Sequence, residues 1–236
     1  MSRVLAIVDT ETTGLPSDST ARVVELGLVV WDVDKDKLLW ADATMVRPDL
    51  LTEKGLKVAK DISGIEPEEI FAGLSIPDAQ IWWDRALGQV AKHGAVGLGA
   101  WNMPFDRAML RRTLYGIEDP KEANSDPRPW IDCENAGDPT PWLTCWMQVF
   151  SDMFVETLGT RTAAVGVVTP RFAKLGYAVE QLGLSKAEAK TAHRALGDAI
   201  HCAQVGAAIL RGDLAPTPIH SIKQLAPEHR HGRGRS

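Results

Sequence analysis

The sequence has few cysteines, no long apolar run and no excess of positive charge, and each absence removes a class of protein. Its three cysteines, Cys133, Cys145 and Cys202, are odd in number and lack the paired spacing of a zinc site. That argues against a disulfide framework and for reduced thiols in an intracellular protein. No apolar stretch approaches the roughly 18 residues of a membrane span, and the N-terminal residues run into a strand pattern without signal-peptide organisation. The expectation is a cytoplasmic protein with no membrane partner. A net charge of −5 argues against a protein that coats nucleic acid through its bulk surface. It leaves open a small site where metal ions neutralise carboxylates and phosphates together. There is no internal repeat and no second composition regime before residue 212.

What is present is an ordinary globular composition, 44% hydrophobic and 24% charged over 236 residues, enough for one sizeable core. One stretch near the start organises the rest: Val4-Leu-Ala-Ile-Val-Asp9-Thr-Glu11-Thr-Thr-Gly14-Leu15. A run of aliphatic residues that ends at Gly14 and Pro16 reads as a buried strand. Side chains alternate along a strand, so Asp9 and Glu11 share a face just before the chain turns. They are either a solvated strand end or a pair held together by a cation between them, for which a hard divalent metal is the natural candidate.

The next segments, residues 22–31 and 38–46, alternate with short polar turns and predict an antiparallel three-stranded opening. The Asp32, Asp34, Asp36 run is a hairpin turn rather than a calcium loop, because Lys37 stands where glycine is required and Ala43 where a bidentate Glu should be. A helical piece follows over 52–60, then a turn over 62–65. A second helix is capped by Ser75 and runs to His93, a helix-end histidine next to Gly94. Residues 95–100 predict a small-residue strand, and Asn102 caps the next helix, with Pro104 in its first turn.

Residues 115–141 form an irregular excursion with a short strand near 130–132. A helix over 142–155 and a loop to Thr169 come next. Another helix starts with Thr169 as cap and Pro170 at its first position, buries Phe172, Leu175, Val179 and Leu182, and ends at Gly183. Ser185 and Glu188 make a capping box. The last helix runs from near His193 to Arg211, with Leu196, Ala199, Ile200, Ala203, Ala207 and Leu210 on its buried face. A basic tail containing three prolines closes the chain, so residues 1–211 read as one domain and 212–236 as a tail.

Three motifs bear on Asp9 and Glu11. In the segment Trp101-Asn102-Met-Pro-Phe105-Asp106 a strand runs into a helix with Asn102 and Asp106 one turn apart. In Ala192-His193-Arg-Ala-Leu-Gly-Asp198 an imidazole precedes the last helix and a carboxylate lies one turn inside it. With the first strand, these segments resemble the DEDDh 3′ to 5′ exonucleases, the superfamily of the proofreading epsilon subunit, oligoribonuclease and RNase T. Val24-Glu-Leu-Gly27, Ser63-Gly-Ile65 and Leu175-Gly-Tyr-Ala178 support the likeness, which covers about residues 3–210. Trp101 stands where many relatives have His before the Asn, and Ser63 where many have His before Gly-Ile.

The resemblance implies an α/β, RNase H-like mixed five-stranded sheet, antiparallel in its first three strands and flanked by helices. It implies that Asp9, Glu11, Asp106 and Asp198 hold two Mg²⁺ or Mn²⁺ ions and that His193 accepts the proton of the attacking water, a task suited to a side chain that changes charge near neutral pH. Thr12, Thr13, Gly14 and Leu15 are expected to meet the terminal nucleotide, with Leu15 and Ile65 on its base and Asn102 and Phe105 beyond. Trp101 is expected to stack on an unpaired base. The implied partners are 3′ ends of single-stranded DNA or RNA and a DNA polymerase, as in replication or repair. Two alternatives stand beside this: an oligoribonuclease-like enzyme on short RNA, and a noncatalytic proofreading-type module that binds a polymerase.

Overall fold

The computed structural model describes residues 2–117, 142–162, 168–183 and 193–214. The chain opens as a meander of β1 (Val4–Thr12), β2 (Val23–Asp32) and β3 (Lys37–Met45). The β-branched runs of β1 and β2 suit a pleated, buried surface. These strands pair antiparallel, in a register that sets Asp9 opposite Gly27 and Glu11 opposite Glu25. Next come α1 (Glu53–Ser63), α2 (Pro67–Phe71) and α3 (Ile76–Lys92). The Thr52 hydroxyl caps α1 by accepting from the Gly55 N–H at 3.0 Å, and Gly64 stops the helix in a left-handed conformation with φ 65°.

The chain then re-enters the sheet as β4 (Leu98–Ala100), parallel to β1, and continues into α4 (Met103–Tyr115). After α4 come β5 (Trp142–Cys145), parallel to β4, α5 (Trp146–Met153) and α6 (Val155–Leu158). A small antiparallel pair, β6 (Thr160–Thr162) and β7 (Val168–Pro170), stands apart from the main sheet. The described chain ends with α7 (Leu175–Gln181) and α8 (Ala195–Arg211). The main sheet has the order β3-β2-β1-β4-β5, the mixed five-stranded architecture that the resemblance implied.

Strand alternation divides the core into two layers. Ala6, Val8, Leu26, Leu28 and Val30 pack with Trp83 of α3 and Met109 and Leu110 of α4. Ile7, Val29 and Trp31 face the other way, against Trp146 and Phe150 of α5 and the small residues Ala199, Cys202 and Ala203 of α8. Those small side chains let α8 lie close to the sheet; a Cβ on Gly206 would come within 3.0 Å of the Trp146 ring. Cys145 and Cys202 are free thiols. Among the described residues, no helix is long and apolar enough to cross a membrane.

Four local expectations are corrected. Residues 142–145 are strand rather than helix, because they supply the parallel neighbour that β4 requires. Thr169 and Pro170 end β7 instead of starting a helix; α7 begins only at Leu175, after Lys174, and Phe172 is exposed beneath the Arg161 guanidinium, 4.2 Å from its ring centroid. Asn102 occupies the cap position of α4 but makes no side-chain capping bond. Leu210 is exposed at the far end of α8. The strand expected near 130–132, the capping box at Ser185 and Glu188, Cys133 and the tail beyond residue 214 lie outside the described residues.

Candidate active site

The sheet and α8 bring three acids together. Asp9 and Glu11 project from the β1 face that α8 covers, and Asp198 comes from the first turn of α8. One carboxylate oxygen from each of the three lies within 4.8 Å of the other two. Burial raises the Asp9 carboxyl well above its ordinary range, and the charges of Asp106, Asp198, Glu11 and Glu25 push the same way. Burial likewise brings Glu11 to about 7, partly opposed by a short hydrogen bond from the Ser63 hydroxyl. Asp198 is raised by burial against the pull of the nearby His193, through both its charge and its backbone N–H.

Asp106 reaches the same strand end from the opposite layer. It is buried on α4, and its Oδ1 accepts from the Thr10 N–H at 3.1 Å and the Thr10 hydroxyl at 2.9 Å. Thr10 points away from Asp9 and Glu11 by strand alternation, so this bond ties α4 to the back of the acid pair. Burial raises Asp106 to about 7 despite both Thr10 bonds.

His193 is exposed, with φ 68°. Its neighbour Arg194 turns inward and binds Glu25, a carboxylate that is only 5% exposed. Thr12 donates its hydroxyl to the Gly14 carbonyl at 2.8 Å. Thr13 is buried and bonded to Arg22 through its backbone N–H and its hydroxyl oxygen. Gly14 is half-buried, its Cβ position 3.3 Å from the Ala21 Cβ. Leu15 is 66% exposed, an open apolar side chain just past the acid pair.

Asn102 is half-exposed, and its carbonyl accepts from the N–H groups of Phe105 and Asp106. Phe105 packs partly buried on the α3–α4 layer. Two expected nucleotide contacts lie in the core instead. Ile65 is 0% exposed, packed among Val24, Ala59 and Ile70, because the left-handed Gly64 turns the chain inward; the exposed apolar residue of that turn is Ile62. Trp101 is 7% exposed, donates its indole N–H to the Ala173 carbonyl at 3.2 Å and packs 5.8 Å from Phe150. Its ring face is therefore not offered to a base.

Thr10, Ser63, Glu25 and Arg194 also join the site, and all four lie in segments that carry or support the resemblance. Cross-strand register was the available signal for Glu25, which faces Glu11 directly once the meander is drawn.

The donor set fits a hard divalent cation. It is all carboxylate oxygen, drawn within 4.8 Å, and burial and mutual repulsion hold its members up. Among the described residues Arg194 eases Glu11, and that guanidinium is already bonded to Glu25. A divalent ion would supply the missing positive charge with the ligand type it prefers.

No protein-family model and no curated protein matches the chain. Solved structures match in fold. Cell-death related nuclease 4 (CRN-4) aligns at 16% identity and a TM-score of 0.58, over 89% of this chain and 64% of its own. The nuclease domain of 3′hExo, a DEDDh family member bound to rAMP, aligns at 14% identity and a TM-score of 0.57, over 92% of this chain and 96% of that domain. The zinc-bound complex of E. coli ExoI with single-stranded DNA aligns at 16% identity and a TM-score of 0.54, over 90% of this chain and 41% of that one. The chain thus spans less than two thirds of the first and third of these proteins. At such identities the likeness is one of fold.

Proposed function

We propose that this chain is a metal-dependent 3′ to 5′ exonuclease of the DEDDh type, which hydrolyses the terminal phosphodiester bond of single-stranded DNA or RNA. The observation that carries this reading is the convergence of Asp9, Glu11 and Asp198 within 4.8 Å on one face, with Asp106 bonded to the strand between the first two. The fold shared with 3′hExo and ExoI supports it.

Asp9, Glu11 and Asp198 would hold the ions, with Asp106 completing the set. When bound, two Mg²⁺ or Mn²⁺ ions supply positive charge at the attacking and leaving oxygens of an in-line displacement at phosphorus. The chain's own groups do the rest. His193, exposed beside Asp198, takes the proton of the attacking water at a ring nitrogen. Leu15 offers an apolar surface to the terminal base, and the segment from Thr12 to Gly14 is held rigid by its own bonds so that it can seat the terminal nucleotide.

In this reading residues 1–211 form the exonuclease domain and 212–236 a basic appended tail, and the protein works in the cytoplasm with its thiols reduced. The direct test is degradation of a 5′-labelled single-stranded oligonucleotide, in DNA and RNA versions, with Mg²⁺, Mn²⁺ or EDTA. A metal-dependent ladder that shortens one nucleotide at a time from the 3′ end is the expected result, and the relative rates identify the preferred sugar. No cleavage of either strand with any metal would sink the enzyme reading and favour a noncatalytic module.

A further inference from the structure

The residue after His193 carries a second layer of the site. Glu25 is a buried carboxylate on β2, opposite Glu11, and it accepts from both Arg194 and the following backbone. Arg194 Nε lies 3.1 and 3.0 Å from its two oxygens, Arg194 Nη2 lies 2.8 Å from Oε1, and the backbone N–H of Ala195 donates to Oε2 at 3.0 Å. The other arm of the guanidinium reaches Glu69 of α2 at 3.4 Å. Two residues along β2, Gly27 leaves the space in which the backbone of Ala195 and Leu196 rests; a Cβ there would sit 2.5 Å from the Ala195 carbonyl carbon. The first turn of α8 is thus fixed to β2 by one charged clamp and one close backbone contact.

His193 stands immediately before this clamp in a left-handed conformation, φ 68°, which is uncommon for a residue with a Cβ. We propose that Arg194 is a positioning residue, which through its paired bonds to Glu25 holds His193 in this conformation beside the acid cluster. A planar fork bonded at two oxygens fixes direction as well as distance, which a lysine ammonium does not. The bonded route from Arg194 to the reaction runs through His193, so the kinetic consequence rests on the exonuclease reading while the conformational one does not.

The test compares the full-length wild type with Arg194→Ala, His193→Ala and the double variant on the oligonucleotide that the wild type degrades. Arg194→Ala should lower kcat by about tenfold or more, as loss of a supporting partner does, and leave KM within about twofold. Added to His193→Ala, it should cost less than about twofold, because the group it positions is already gone. The full loss in that background, or no loss in the wild type, would overturn the proposal. Should Arg194→Ala fail to fold, Arg194→Lys and Glu25→Gln break the paired bonds more gently and carry the same comparison.

Amide hydrogen exchange separates the clamp from the chemistry. In Arg194→Ala the His193 and Ala195 amides should exchange at least about tenfold faster while those of β1 stay unchanged. Equal exchange in the two proteins overturns the clamp whether or not any strand is cleaved. Faster exchange in a protein that cleaves nothing would uphold the clamp and fail the exonuclease reading alone.

Discussion

Glu11 and Glu25 face each other across β1 and β2, and their surroundings divide their work. Glu25 is held by Arg194 and the Ala195 N–H and has no oxygen left over for a metal. Among the described residues Glu11 is hydrogen-bonded by the Ser63 hydroxyl, and burial lifts it to about 7. The acid kept without an ionic partner is the one the candidate metal site uses. His193, exposed and next to Asp198, is the group proposed to move a proton there. Replacing it with alanine should slow single-turnover cleavage by roughly 10² to 10⁴ and leave the circular dichroism spectrum unchanged; a rate within a factor of two of wild type would remove it as the base. Asp9 and Glu11 share a strand face that alternation makes legible in the sequence, while the roles of Asp106, Asp198 and His193 are what the resemblance implies. Ile65 and Trp101 are not legible in that way, since an apolar residue beside a motif looks the same whether it faces substrate or core. The Glu25–Arg194 pair joins residues 169 positions apart, and only the fold brings them together.

Among the elements, α8 depends most on a single missing side chain. Gly27 on β2 faces the backbone of Ala195 and Leu196, and a methyl group there would lie 2.5 to 2.7 Å from main-chain atoms that cannot turn aside. Gly27→Ala should therefore lift the first turn of α8, lower stability by about 1 to 3 kcal/mol and reduce cleavage with it, as read by denaturant melts and the oligonucleotide assay. Gly88 is the contrasting case. It lies exposed inside α3, and a Cβ added there would meet nothing within 4 Å, so Gly88→Ala should raise stability by roughly 0.5 to 1 kcal/mol through helix propensity. A stabilised Gly27→Ala or a destabilised Gly88→Ala would contradict this packing. The opening meander, α1, α3 and α8 follow from periodicity and caps, because those signals are local. β5 does not, since Trp142–Cys145 runs straight into α5 without a turn residue and is made a strand by its neighbour β4. The Thr169-Pro170 signature misleads for a related reason: proline's fixed φ suits the end of a strand in a two-stranded pair as well as a helix start.

For the whole molecule, the buried acids of the site create a pH dependence of stability whose sign differs from that of an acid satisfied by hydrogen bonds, such as Asp32. Glu11 and Asp106 have ordinary values of 4.5 and 3.8 but stand near 7 in the folded protein. Between those limits the folded chain keeps protons that the unfolded chain has lost. Their stabilising contribution is therefore complete below about pH 4 and is lost as pH rises towards 7. Asp32, lowered to about 2 by the Ser2 hydroxyl and the Lys35 N–H, works the other way, and its contribution disappears only as pH falls below 4. Metal-free protein in EDTA should then melt at a lower temperature at pH 7.5 than at pH 5. A divalent ion binds the deprotonated acids, so excess Mn²⁺ or Mg²⁺ should reverse this at pH 7.5. At about a hundred times its dissociation constant the ion would add about 2.7 kcal/mol, a rise of roughly 5 to 10 °C for a chain of this size. Asp9→Asn removes one of the repelling charges and one of the ligands, and should both flatten the EDTA profile and abolish the metal-induced rise. A melting temperature that climbs from pH 5 to 7.5 in EDTA, or a metal-induced rise that survives Asp9→Asn, would show that these carboxylates are not the charged centre around which the fold is built.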